Sequence, residues 1–213
     1  MKRGQSSKIK AVIFDIGGVL ALSTFPINSA KNHHLGAHEQ AAKQLNISLD
    51  QYFDSIDSIY SRSIEGTITK KQVIRSMSAN LNISKKKLEK LFVSVYKKMF
   101  KQNKRLYSFA FNLRKKGYKI AILSDQWHLS KEALMPKNLV KHFDEVIVSC
   151  DIGMRKPNKK IFILILKKLK IRSENALFID NQNWNINAAK KIGMNAILYK
   201  NNNQLFSEIK KFL

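Results

Sequence analysis

Six polar residues stand where their types and spacing could do chemistry. Asp15 follows the apolar run Ala11 to Phe14, Ser124 and Asp125 follow Tyr118 to Leu123, and Asp180 and Asn181 follow Ala176 to Ile179. Lys156 lies in a loop, behind Gly153 and ahead of Pro157. Short apolar runs closed by polar or turn residues read as strands buried on both faces, as in a parallel sheet. Such strands share one carboxyl edge, where open α/β sheets bind ligands, so residues distant in sequence converge there. A carboxylate nucleophile, a hydroxyl, an ammonium and further oxygens meet the needs of phosphoryl transfer to a carboxylate. That transfer requires an attacking oxygen, donors and positive charge for the phosphoryl oxygens, and oxygens for a hard cation. Taken singly, each residue has a plainer reading: Asp15 or Asp180 as a turn or helix cap, Ser124 as a strand-end hydroxyl, Lys156 as a solvated loop side chain.

The elements that must position these residues follow from the pattern. In Lys10–Leu20, KAVIFDIGGVL, the first run ends at Gly17 and Gly18. Residues 21–30 read as an irregular link. Apolar periodicity then predicts helices over 35–46, 50–64, 67–81 and 85–100, with Ser84 as N-cap of the last. From about Asn103 helix and strand alternate. Helices are expected over 104–116, 159–169, 184–192 and 204–212, and strands over 118–123, 145–149, 176–179 and 195–199. A helical stretch interrupted at Pro136 runs to Phe143, and 150–157 reads as a loop. The predicted fold is α/β: a Rossmann-like parallel sheet core with helices on both faces and a helical cap inserted after the first strand. The core takes 1–21 and 103–213, and the cap 22–102.

Composition narrows the classes. With 213 residues and 44% hydrophobic content, the chain has material for a real core. No apolar run reaches 18 residues, so no membrane-spanning helix is expected. The basic start MKRGQSSKIK lacks the apolar segment of a signal peptide. Cys150 is the single cysteine, which rules out an intramolecular disulfide and fits a reducing cytoplasm. The net charge of +24 comes mainly from Lys, placed in pairs on predicted helix surfaces, with no Arg-rich tract or nucleic-acid motif. It reads as solvated faces with a general attraction for anionic substrates; no specific nucleic-acid binding is expected. Monomer and homodimer stay open. His33, His34 and His38 read as loop or cap residues near a substrate entrance, because a metal site of their own would want other spacing and a Cys or carboxylate partner. Trp127 and His128 are candidates to line a pocket, with Trp127 equally a packing aromatic. Asn185 and Asn187 read as helix-surface or capping residues, and Cys150 as a small buried or loop thiol.

Four motifs, FDIGGVL, LSD, GMRKP and FIDN followed by NINAAKKIGM, occur in an order and spacing that resemble the haloacid dehalogenase (HAD) superfamily over nearly the whole chain. The chain looks most like the subfamily with a small helical cap. Within it, SCDIGMRKP and ILSDQW are similar to the group holding the amino-terminal phosphatase domain of soluble epoxide hydrolase and bacterial sugar-phosphate phosphatases. The resemblance implies a Mg2+-dependent phosphatase that hydrolyses a small phosphate monoester, a sugar phosphate among the candidates, through an aspartyl-phosphate. On the resemblance, Asp15 is the nucleophile and a metal ligand, and Gly17 offers its carbonyl to the metal. Ser124 and Asp125 bind the phosphoryl group, Lys156 offsets charge, and Asp180 and Asn181 hold the metal; Trp127 joins the substrate-binding set.

Three residues depart from the family's commonest pattern. Gly17 stands where a second Asp would protonate the leaving group. Asn181 replaces a metal-binding carboxylate, and Asp125 replaces a common Asn. These departures support an alternative, a HAD-fold protein with little or no catalysis that binds a phosphorylated ligand or an acidic partner. Dehalogenation of a haloacid would use the same nucleophile, but the Gly-Gly after Asp15 and the phosphatase-like third motif argue against it.

Overall fold

The computed structural model describes residues 9–24 and 35–213. His33 and His34 lie outside the described residues. Strand β1 (Ala11–Phe14) is buried at every position. After the turn at Gly17 and Gly18 the chain forms β2 (Ala21–Ser23) and enters four helices: α1 (Leu35–Leu45), α2 (Leu49–Ile64), α3 (Lys70–Asn80) and α4 (Lys85–Met99). Strand β3 (Phe100–Gln102) returns antiparallel to β2, Ala21 opposite Gln102 and Ser23 opposite Phe100. There follow α5 (Lys104–Lys115), β4 (Lys119–Ser124), α6 (His128–Leu134), α7 (Lys137–Val140), β5 (Glu145–Val148) and α8 (Ser149–Ile152). The chain closes with α9 (Lys159–Leu169), β6 (Ala176–Asp180), α10 (Asn183–Lys191), β7 (Asn195–Leu198) and α11 (Asn202–Glu208).

Local chemistry sets the helix ends. Ser48 and Gln51 form a capping box at α2, and Thr69 and Gln72 another at α3. Ser84 caps α4, accepting from the Lys87 N–H, and Asn103 caps α5, accepting from the Leu106 N–H. The two-stranded β2–β3 ribbon was not expected, since three residues are too few to show a period. The same applies to α8: residues 150–157, expected as a loop, begin inside a single helical turn.

The main sheet runs β5-β4-β1-β6-β7, with every pairing parallel. After β1 the chain builds outward to one side, then crosses to the other. The order therefore reverses at β1, which makes the carboxyl end of β1 the switch point where such sheets open a crevice. Alternate side chains of the strands face opposite layers. Val12, Phe14, Ile120, Ile122, Leu177 and Ile179 belong to one core cluster. Ala11, Ile13, Ala121, Leu123 and Phe178 join Ile161, Phe162, Ile165 and Ile186 of α9 and α10 in the other. The first cluster continues into the inserted helices through Tyr52, Met77, Leu88 and Phe92, so the insertion shares a core with one sheet face. Asn103, at the return from the insertion, donates to Val19 O, Tyr199 Oη and Asn202 Oδ1 at 2.9, 3.0 and 2.9 Å, tying that junction to the last strand and helix. No helix among the described residues is long and apolar enough to cross a membrane.

Candidate functional site

Asp15, Ser124, Asp125, Lys156 and Asp180 meet at the carboxyl edge of β1, β4 and β6. The register explains the meeting: Phe14 pairs with Ile122 on one side and Ile179 on the other, so Asp15 emerges beside the ends of both neighbours. Its own N–H is held by Ile179 O at 2.9 Å.

Lys156 is the hub. Its Nζ lies 2.7 Å from Asp180 Oδ2 and 3.0 Å from Asp15 Oδ1, and donates to Leu123 O at 3.2 Å. An ammonium sealed from water would lose its charge unless paired. Burial does oppose the Lys156 charge, but Asp15, Asp180 and Asp125 outweigh it and hold its pKa above the usual lysine value. Asp15 shows the converse. Burial dominates and pushes its carboxyl up to about 7, although Lys156 and the Ser124 hydroxyl pull it down. Asp15 Oδ1 is at ion-pair distance from Lys156 without meeting hydrogen-bond geometry.

Asp180 is fully buried and heavily used. Its Oδ2 accepts from Lys156 and from Asn185 Nδ2 at 3.0 Å, and its Oδ1 accepts the Gln182 N–H at 2.7 Å. Asn185, expected on a helix surface or at a cap, is therefore corrected to a buried support of the site. The first turn of α10 faces the sheet edge, and the Asn185 amide there donates to Asp180. Asn187 is exposed, as expected. Asn181 stands beside Gly18, where φ is +77° and a Cβ would run into the Asn181 amide. Glycine at 18 therefore allows the turn and the close approach together. Asn181 Oδ1 is buried without a hydrogen-bond partner.

The structure resolves how an anion at 125 is accommodated. Asp125 Oδ1 accepts the Lys156 backbone N–H at 3.1 Å, and its Oδ2 lies 3.8 Å from Arg155 Nε. Its charge is directed at the loop that carries Lys156. Burial raises its pKa, and Lys156 and Arg155 oppose that rise.

Ser124 is fully buried at the end of β4. Gln126 Nε2 donates to Ser124 Oγ at 3.1 Å while Gln126 Oε1 accepts from Ser130 Oγ at 2.6 Å. With its oxygen accepting from Gln126, the Ser124 hydroxyl proton is directed elsewhere. Sequence reasoning did not single out Gln126; its place two residues after Ser124 was the available signal. Trp127 is buried, its indole N–H donating to Tyr96 Oη at 2.8 Å and its ring packed on Tyr60 and Phe92. Its contacts are thus with the insertion. His128 binds the insertion too, its Nδ1 2.8 Å from Ser63 Oγ. His38 is buried with Nδ1 2.9 Å from Tyr52 Oη. Burial pushes the Cys150 thiol up to about 12, which makes it a poor nucleophile.

The residues present fit a hard cation in one respect: Asn181 Oδ1, next to Asp180, is a buried oxygen lacking a hydrogen-bond partner. Among the described residues no group of three His, Cys, Asp or Glu side chains could hold a metal. The candidate set has two carboxylates, with an amide and a backbone carbonyl for the remainder. The cavity of about 400 Å³ lined by Phe100, Lys101, Leu134 and Pro136 includes none of the residues at this sheet edge.

A parallel sheet with an acid at its switch point, a helical insertion after the first strand and a buried Lys between two acids describe one class of enzyme fold. The family model for haloacid dehalogenase-like hydrolases matches residues 9–193, and the chain belongs to that family. It is 27% identical over 95% of its length to bifunctional epoxide hydrolase 2 of Sus scrofa, and spans 38% of that protein. It is 25% identical to phosphoglycolate phosphatase of Aquifex aeolicus, over 89% of this chain and 84% of the other. Among solved structures, a HAD family enzyme from Bacteroides thetaiotaomicron in complex with magnesium and inorganic phosphate superposes with a TM-score of 0.70 at 19% identity, covering 90% of this chain and 94% of that one. The chain is thus a HAD-family hydrolase with phosphatases among its relatives.

Proposed function

We propose that this chain is a Mg2+-dependent phosphatase of small phosphate monoesters, sugar phosphates among them. The observation that carries the reading is Asp15 Oδ1, buried at the switch point, 3.0 Å from Lys156 Nζ and without a hydrogen bond. Such an oxygen is placed to attack phosphorus. The magnesium-bound and phosphatase relatives support the choice of metal and substrate class.

Asp15 Oδ forms a bond to phosphorus as the ester P–O bond breaks, which gives an aspartyl-phosphate and an alcohol. Ser124 donates to a phosphoryl oxygen, its own oxygen already accepting from Gln126. Lys156 offers positive charge between nucleophile and phosphoryl group and is fixed there by Asp180. Water then attacks phosphorus, releases inorganic phosphate and restores Asp15. The residues to hold Mg2+ are Asp15, the Gly17 carbonyl, Asp180 and Asn181; when bound, the ion neutralises phosphoryl charge that Lys156 alone would carry. Gly17 has no side chain to protonate the leaving oxygen, so a solvent or substrate proton serves. Residues 22–102 act as the cap that closes over the site and excludes water. A reducing cytoplasm fits the buried free thiol of Cys150.

The test is phosphate release from a panel of esters with and without Mg2+, with Asp15→Asn as control. Metal-dependent release that vanishes in the variant is the expected result. A second reading, ligand binding without turnover, is favoured by one feature: a Cβ at Gly17 would meet nothing within 4 Å, so the acid's place is open space. Folded protein that binds one of these esters yet releases no phosphate from any of them would establish that second reading.

A further inference from the structure

Arg155 stands directly before Lys156, and the peptide between them is anchored because Asp125 Oδ1 accepts the Lys156 N–H at 3.1 Å. The Arg155 side chain is 44% exposed, with Nε 3.8 Å from Asp125 Oδ2. That is an ion-pair contact too long for a hydrogen bond. The guanidinium donates no hydrogen bond to any described residue, so its donors are unspent. Asp125 orients it without saturating it.

From the insertion, the end of α2 closes on the same loop. A Cβ on Gly66 would lie 2.8 Å from Gly153 N and 2.9 Å from Ser149 O, so the two backbones are in direct contact. Tyr60, one turn before the end of α2, has its ring held edge-on by His38 and Trp127, each at 5.1 Å between centroids. Its hydroxyl has no hydrogen-bond partner among the described residues. Burial raises the Tyr60 pKa and the charge of Arg155 offsets part of that rise. One donor group thus comes from each side of the boundary between sheet and insertion, Arg155 on the residue before the lysine placed for the phosphoryl group and Tyr60 on the helix whose end meets that loop.

A guanidinium offers paired donors in a rigid plane, the geometry that binds a carboxylate through two bonds, and a phenol hydroxyl adds a third donor. We propose that Arg155, assisted by Tyr60, selects the substrate, and that the preferred esters are small phosphate monoesters carrying a carboxylate a few bonds from phosphorus. The substrate class rests on the phosphatase reading; the anion site itself rests on the Arg155–Asp125 pair anchored to the Lys156 backbone and on the contact that brings the end of α2, which carries Tyr60, onto the same loop. An uncharged polyol would use the donors but leave the charge idle.

The test uses the full chain carrying Asp15→Asn, with Mg2+, titrated by calorimetry with 2-phosphoglycolate and with 2-hydroxyethyl phosphate, which replaces the carboxylate by a hydroxymethyl group. The acid is expected to bind about tenfold or more tightly than the uncharged ester, in line with a charge-assisted pair. Adding Arg155→Gln should erase that preference, Arg155→Lys should keep part of it, and Tyr60→Phe should lower it severalfold. Equal binding of the two esters, or an equal loss for both in Arg155→Gln, would overturn the assignment. Turnover by the unmodified chain separates the two readings. Acid-selective binding with no phosphate release from any ester would sink the phosphatase and leave the anion site standing. Release from uncharged esters without acid selectivity would do the reverse.

Discussion

Lys156 Nζ lies 2.7 Å from Asp180 Oδ2, and neither side chain meets solvent. Two buried carboxylates, Asp15 and Asp180, share this one ammonium. Removing one partner of a buried pair leaves uncompensated charge, which costs about 3–5 kcal/mol. Lys156→Met should therefore lower unfolding stability by about that amount at neutral pH, measured by urea denaturation, and abolish phosphate release. A stability loss under about 1 kcal/mol would show that water or ions already compensate the acids.

Asp15→Asn removes a carboxylate whose charge burial disfavours while Lys156 keeps its bond to Asp180. The variant is expected to stay folded, with a melting temperature at or above that of the unmodified chain, and to release no phosphate. A melting temperature lowered by more than about 5 °C would show that the Asp15–Lys156 pair is a net stabiliser.

The pH response follows from the sign of the Asp15 shift. Its carboxyl stands near 3.8 when unfolded and near 7 when folded, so the folded state holds the proton more tightly. Stability from this group falls as pH rises from about 4 to about 7 and is level above. The melting advantage of Asp15→Asn should grow over the same interval. Activity moves oppositely, because the attacking form is ionised. At limiting Mg2+ the rate should climb through pH 7, and saturating Mg2+ should move that limb to lower pH. A flat acid limb from pH 5 to 8 at limiting metal would contradict the assignment of Asp15.

Gly17→Asp places a carboxyl in open space, since a Cβ there meets nothing within 4 Å. The chain should accept it with little change in melting temperature. Turnover of alkyl phosphates, whose leaving groups need a proton, should rise at least severalfold. Turnover of p-nitrophenyl phosphate, whose leaving group does not, should hardly change. Equal effects on both would mean that protonation is not the missing step.

Gln126→Leu removes the donor to Ser124 and the acceptor of Ser130, both buried. Two hydroxyls lose a partner, at a cost of about 1–3 kcal/mol. With Ser124 free to turn, kcat should fall about tenfold or more. An unchanged kcat would mean that Ser124 is oriented by the substrate alone.

Much of this was legible in the chain itself. Ala11 to Phe14 and Ala176 to Ile179 read as buried strands because they are uninterrupted apolar runs, and both form central strands. Helix α9 falls on Lys159–Leu169 as its period predicts. What failed was short or depended on contacts. Strands β2 and β3 and the single turn of α8 are held by their surroundings, with no period of their own. Asn185 looked like a surface amide because helix periodicity says which face is apolar, while a polar residue turned toward a buried acid breaks that pattern.

The sequence by itself determined the sheet, the helical insertion and the gathering of Asp15, Ser124, Lys156 and Asp180 at one edge. Apolar runs and their polar ends are local, and parallel topology converts them into a shared edge. Only the tertiary structure decided who pairs with whom: Lys156 with both Asp15 and Asp180, Asp125 with the Lys156 backbone, Trp127 with Tyr96. Those choices depend on side-chain direction and on the competition between burial and charge. Both are properties of a packed site and are carried by no single stretch of chain.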